Sequence, residues 1–161
     1  MSDAPARTPT DSRVEMTQIV LPGDTNALGT AFGGRVMQWL DVAAAVAARR
    51  HCGGVAVTAS MDSMSFVHPV QLGDVLVIYA SVNRTWRSSM EIGVRVEGEG
   101  GKDGQRFHAA SAYLTFVAVD AQGKPRAVPP VEPATEAERR RFTEAEQRRA
   151  QRLQLRRDLG R

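Results

Sequence analysis

Residues 24–48, DTNALGTAFGGRVMQWLDVAAAVAA, constrain this chain more than any other stretch. A polar turn holding Asn26 runs into the pair Gly33-Gly34. From Val36 to Ala48 only Gln38 and Asp41 are then polar. A helix apolar on nearly every side is buried all round rather than laid on a surface. A lone carboxylate in such a helix costs several kcal/mol if ionised without partners. Asp41 is therefore either a structural acid bonded to a nearby backbone N–H or a group placed for chemistry. The glycine pair favours chemistry, because it leaves the first-turn N–H groups uncovered and open to close approach by a ligand. With the positive end of the helix dipole, those N–H groups suit an oxyanion or a polarised carbonyl.

The spacing predicts a helix over roughly 33–51, closed by Arg49, Arg50 and His51 in its last turn and stopped by Gly53-Gly54. Around it the periodicity is two. Strands are expected at Val14–Leu21, Val55–Val67, Asp74–Thr85, Ser89–Val96 and Gln105–Val119, and the hairpin-length connections at 84–88 and 98–104 make the last three an antiparallel meander. The fold class is α+β, a sheet of about five strands wrapped round one long central helix. One sheet covers only part of such a helix, and a second copy of the sheet from a partner chain would finish the burial.

Four segments are expected: a disordered arm (1–13), one domain (14–122), a Pro-rich exit (123–135) and a charged helical tail (136–161). Residues 132–161 carry nine Arg against six acids, whereas residues 1–131 balance, so the net charge of +3 belongs to the tail. The basic balance thus gives no reason to expect nucleic acid as a partner of the domain. Phe142, Leu153 and Leu155 make a thin apolar stripe, and the tail reads as a solvated helix supported by i,i+4 pairs whose deletion leaves activity intact. No run reaches the roughly 18 apolar residues of a membrane helix, and the first 13 residues lack a secretory h-region. A single cysteine, Cys52, excludes an internal disulfide and reads as a small buried hydrophobe in a reducing compartment, the cytoplasm. No residues have metal-ligand spacing. GEGGKDG at 98–104 superficially resembles a phosphate-cradling loop but is followed by a strand, and is read as a hairpin turn.

Three motifs in order, LPGDTNALGTAFGGRVMQWLDVAAAVAA, ASMDSMSFVHPVQLGDVL and RTWRSSMEIGVRVE, closely resemble the hot-dog fold acyl-CoA thioesterases, in the branch of the bacterial acyl-CoA hydrolases related to brain acyl-CoA hydrolase. The similarity runs from about Glu15 to Val119. It implies a helix wrapped in an antiparallel sheet, active sites at a homodimer interface, and assembly as a trimer of dimers, a hexamer. It implies Asp41 as the catalytic carboxylate, general base or nucleophile, with Asn26 working across the interface. The thioester carbonyl falls near the N–H of Gly33 or Gly34. Phe66 and His68 border the pantetheine channel, and the hairpin at Arg84, Ser88 and Ser89 contacts the nucleotide end. No cofactor is implied beyond coenzyme A as part of substrate and product. A non-catalytic acyl-CoA-binding protein and, less favoured, a hydratase are the alternatives. The three histidines do not occupy the helix-entry position that such hydratases use.

The chemistry fits these residues independently. Thioester hydrolysis needs an activated water or a carboxylate nucleophile, and stabilisation of the developing oxyanion. A dry pocket disfavours a carboxylate's ionised form and makes it a better base. An Asn can orient water with its carbonyl and bond an acyl oxygen with its NH₂.

Overall fold

The computed structural model describes residues 4–160. The chain forms β1 (Val14–Ile19), α1 (Gly33–Cys52), β2 (Ala56–Phe66), β3 (Val75–Thr85), β4 (Ser89–Glu99), β5 (Arg106–Ala118) and α2 (Glu136–Asp158). All strand pairs are antiparallel, in the order β1-β3-β4-β5-β2, so β2 is an edge strand held within the chain by β5. The expected elements form within a few residues of their expected ends.

The side chains of α1 explain how it seats in the sheet. Ala43, Ala44, Ala47 and Ala48 have no accessible surface and form, with Val36 and Leu40, one stripe against Leu76, Ile78, Met90, Ile92, Leu114 and Phe116. Methyl-sized contacts let the strands curve closely round the helix, and each large side chain buried there contributes about 1.5–3 kcal/mol. Gly53, with φ of 66°, ends the helix in the left-handed conformation. Cys52 is buried beside it, as expected.

The other side of α1 is uncovered in the single chain. Phe32, Met37, Val42 and Val46 are exposed, and Phe66 on β2 is 52% exposed beside them. The helix is therefore buried on one side by its own sheet, not all round.

β2 departs from a plain period of two. Its register against β5 slips twice, between Thr58 and Ser60 and between Met61 and Ser63, so Ala59 and Asp62 are extra residues at two β-bulges.

Three expected boundaries need correction. Residues 4–13 are not a disordered arm; residues 1–3 lie outside the described residues. Pro9–Ser12 form a 3₁₀ turn, the Ser12 hydroxyl accepts from Val82 N–H at 2.9 Å, and Arg7 donates to the His51 carbonyl at 2.9 Å, capping the C-terminal end of α1. Residues 123–135 are a packed strap rather than an exit. Val128 and Val131 are buried, Val128 N–H donates to the Arg87 carbonyl, and residue 131 bridges to Arg7.

The third correction concerns the tail. α2 starts at a capping box, in which Thr135 and Glu138 exchange hydrogen bonds, and then docks on the outer face of the sheet, opposite α1. Arg148 makes a two-pronged bond to Glu91, at 3.0 and 2.7 Å, and stacks 3.7 Å from the Tyr113 ring centre. Arg84 on β3 lies 4.0 Å from the Phe142 ring and pairs with Glu146, and Arg149 stacks on Trp86. Arg152 pairs with Asp62. Planar guanidinium groups bury apolar surface while meeting carboxylates and rings, so a helix with few large apolar side chains still acquires a docked face.

Candidate active site

Asp41 stands on the uncovered side of α1, two turns in from its N-terminus. Thr58, on the edge strand β2, donates its hydroxyl to Asp41 Oδ1 at 2.7 Å. Among the described residues this is the one hydrogen bond of the Asp41 side chain. It orients the carboxylate and leaves Oδ2 and further lone pairs to accept from a water or to meet a substrate. Met37, Val42 and Val46 on the same side of α1 are exposed. The expectation of an acid on a mostly apolar rod holds, and its partner is a side-chain hydroxyl rather than a backbone N–H.

Gly33 and Gly34 begin α1. The N-cap residue, Phe32, supplies no side-chain cap, so nothing from that side chain occupies the first-turn N–H groups. A Cβ at Gly34 would stand 2.8 Å from the ring of Phe32, an exposed side chain that would have to turn aside. The Phe66 ring lies over Gly33, 3.7 Å from where a Cβ would be. The strand end and the helix start thus meet.

Asn26 sits in an exposed loop that it builds itself. Its Oδ1 accepts from the N–H of Leu28 (2.9 Å) and Thr30 (3.3 Å), and its Nδ2 donates to Thr30 Oγ1 at 2.8 Å. The loop is tied to the 70–72 segment by Ala31 N–H to the Val70 carbonyl and Leu72 N–H to the Gly29 carbonyl. Within one chain Asn26 makes no hydrogen bond to Asp41.

His68 is exposed. Its Nδ1 lies 2.9 Å from the His108 carbonyl and its ring meets Phe107 edge-on. It lines a hollow of about 620 Å³ shared with Gly29, Leu72, Lys102, Arg106 and Phe107. A second hollow, about 610 Å³, lies on the outer face between α2 and residues 9–15 and is lined by none of the expected site residues.

The hairpin at 84–89 differs from expectation. It is not an open phosphate cluster, because α2 covers much of it. Arg84 is paired with Glu146 at 2.8 Å and donates to the Phe142 carbonyl, and Ser89 Oγ accepts from Arg149. Arg87 remains exposed and Ser88 half-buried.

Thr58 is the residue that sequence reasoning missed. Its place in a β-branched run marked it only as strand, and the contact with Asp41 spans 17 positions.

Residues 28–105 match the Thioesterase superfamily. The Bacillus subtilis (strain 168) protein named uncharacterized acyl-CoA thioester hydrolase YkhA is 44% identical over 128 residues, 80% of this chain and 74% of its own length. The chain spans only 24% of the much longer mouse acyl-coenzyme A thioesterase 11, at 38% identity. An apo-hexameric acyl-CoA thioesterase superposes with a TM-score of 0.90 at 42% identity, covering 94% of this chain and 97% of that one. A Staphylococcus aureus acyl-CoA hydrolase, solved with butyryl coenzyme A, coenzyme A and coenzyme A disulfide, gives 0.90 at 37% identity, covering 97% and 95%. That enzyme has also been solved as single alanine variants of an Asn, an Asp and a Thr. With this fold, this helix entry and these relatives, the chain belongs to the thioesterase superfamily, among its hot-dog fold acyl-CoA thioesterases.

Proposed function

We propose that this chain hydrolyses acyl-CoA to a free acid and coenzyme A, without a cofactor, with Asp41 as the reacting carboxylate. The observation that carries the reading is the Thr58–Asp41 pair on the uncovered apolar side of a helix whose start is uncapped. Thr58 holds Oδ1, and Oδ2 activates a water or attacks the thioester carbon. The carbonyl oxygen lies against the N–H of Gly33 or Gly34, where the helix dipole stabilises the oxyanion. Thiolates leave readily, so no strong general acid is needed. The replaced Asn, Asp and Thr of the Staphylococcus aureus variants are 15 and 17 residues apart. Asn26, Asp41 and Thr58 have the same separations, which supports grouping these three in one site.

Asn26 then acts from a second copy. The minimal active unit is a homodimer in which a partner covers Met37, Val42 and Val46 and brings its own loop to Asp41. A trimer of such dimers is the full assembly, supported by the hexameric state of the similar thioesterase. Phe66 and His68 border the pantetheine arm. Of the hairpin residues, Ser88 and the neighbouring Arg87 are the ones left to meet the nucleotide, since α2 holds Arg84 and Ser89.

The test is coenzyme A release from a panel of short- to long-chain acyl-CoAs by the wild type and Asp41→Asn. A loss of about 10²–10⁴ in kcat is expected. Retained turnover in the variant would overturn the role of Asp41. Coenzyme A binding by the wild type without hydrolysis of any panel member would favour a non-catalytic binder.

A further inference from the structure

The bulged stretch of β2 has a support that the reaction described above does not use. Asp62 is the extra residue of the second bulge, and its side chain is 10% exposed. Its Oδ1 accepts from Ser60 Oγ at 2.8 Å, and its Oδ2 accepts from Thr115 Oγ1 at 3.1 Å and from Arg152 of α2. Ser60 is the first residue after the first bulge, so the Ser60–Asp62 bond ties the two irregularities together. The carboxylate thereby fastens the doubled bulge at three points: within β2, to β5 and to α2.

The register shows what this fastening sets. Thr58 pairs with Phe116, whose side chain lies in the core beside α1, and Ser60 pairs with Thr115, which faces outward. The two β2 residues lie only two positions apart and would share a face in a plain strand. The bulge at Ala59 puts them on opposite faces instead. Thr58 consequently points inward at Asp41, while Ser60 points outward at Asp62. Bulges beside active sites re-aim side chains in this way. Within the chain β2 is paired on one side only, by β5.

We infer that Arg152 is a positioning residue for the thioesterase site: through Asp62 it holds the β2 bulges that aim the Thr58 hydroxyl at Asp41. The C-terminal helix is thus a working part of the catalytic arrangement although it touches no reacting atom. The inference rests on the reading of Asp41 as the reacting carboxylate, and its effect falls on turnover rather than on substrate binding.

The experiment is a double-mutant cycle on the full-length protein, with kcat and KM for one acyl-CoA and a melting temperature for every variant. Arg152→Ala lowers kcat about tenfold, within the range expected when a catalytic contact shifts by less than an ångström, and leaves KM within about twofold. Arg152→Lys restores part of the loss. In a Thr58→Val background, Arg152→Ala causes no further fall in kcat, because the contact that it supports is already gone. Asp62→Asn, which keeps the size but replaces one of the two accepting oxygens with a donating NH₂ group, gives a fall of the same kind and serves if Arg152→Ala does not fold. Arg140→Ala, on the solvent side of α2, leaves kcat unchanged. Multiplying losses in the double variant, or a lowered melting temperature with unchanged kcat, would overturn the inference. Asp41→Asn is run alongside. If it retains turnover, the assignment of Asp41 fails first; if it is inactive while the losses of Arg152→Ala and Thr58→Val multiply, only the positioning role fails.

Discussion

The two long helices hold to the same sheet by opposite means. α1 lies on the inner face through Ala43, Ala44, Ala47 and Ala48, all without accessible surface, and its attachment is shape and hydrophobic burial. α2 lies on the outer face with Ala145 and part of Phe142 as its apolar contacts, and its attachment runs through Arg148, Arg149 and Arg152. The contrast teaches that a hydrophobic pattern finds helices buried by area and passes over helices docked by guanidinium groups. It also separates two kinds of vulnerability. α1 is sensitive to volume, whereas α2 is sensitive to the loss of one charge from a pair.

The largest expected effect comes from breaking such a pair. Glu91 has no accessible surface and receives both Arg148 and the Asn83 amide, at 3.0 Å for the latter. Arg148→Ala strands that carboxylate, and a cost of about 3–5 kcal/mol is expected in urea unfolding. Replacing both partners, as Glu91→Leu with Arg148→Leu, removes the desolvation cost along with the attraction and is expected to come within about 1–2 kcal/mol of wild type. A single variant as stable as wild type would show that α2 is not held there.

Volume is the matching test for α1. Ala44→Leu adds three carbons where the helix meets the sheet with no space, and overpacking of this kind costs about 1–3 kcal/mol. Arg148 and Ala44 lie on opposite sides of the sheet, so their effects should add within about 0.5 kcal/mol. Strong coupling between them would mean that the two helices share one packing unit.

Much of this arrangement was legible in the sequence, for reasons specific to certain residues. The all-apolar run after Gly33-Gly34 located α1 and isolated Asp41, and Gly53 marked its end. Period-two patterns gave the strands, because Met90, Ile92, Val94 and Val96 alternate with polar residues along β4. The docked face of α2 was hidden because amphipathicity weighs apolar residues, while its partners Glu91, Trp86 and Tyr113 are scattered over β4, β5 and the hairpin at 84–89. Thr58 was hidden because the run 55–67 looks like one continuous strand. The bulges at Ala59 and Asp62 that set its direction depend on Thr115 and Arg152, 53 and 90 positions downstream of Asp62. The strap at 123–135 was hidden because prolines signal a linker equally well when they pack.

A smaller effect separates the C-terminal end of α1 from the rest of that helix. His51 has no accessible surface; its Nε2 lies 3.0 Å from the Pro129 carbonyl, and its Nδ1 has no partner. Burial holds its pKa below the ordinary value near 6.5, the Pro129 carbonyl opposes this, Arg7 adds to the depression, and Asp11 opposes it weakly. Below about pH 6.5 the unfolded chain therefore takes up a proton that the folded chain resists, and stability falls as pH drops. Above that pH the neutral ring costs nothing of this kind. Urea midpoints measured from pH 8 down to pH 5 should fall more steeply for wild type than for His51→Gln. Parallel curves would show that the buried imidazole is not responsible.

The smallest expected effect probes whether the charges of α2 matter by number or by direction. Arg140 and Glu144 form an i,i+4 pair at 3.6 Å, with side chains 70% and 41% exposed. Such a pair gains little Coulomb energy in water, loses side-chain entropy on ordering and is screened by salt. Arg140→Ala should change stability by no more than about 0.5 kcal/mol, and the difference should vanish as salt is raised. Arg148→Ala removes the same charge from the same helix, two turns further on and facing the sheet, and its larger cost should persist in salt because Glu91 is out of water. If the two substitutions proved equal, α2 would be held by its overall charge. A difference of several-fold, insensitive to salt on the sheet side, makes docking the property of the few arginines that reach a buried acid or a ring.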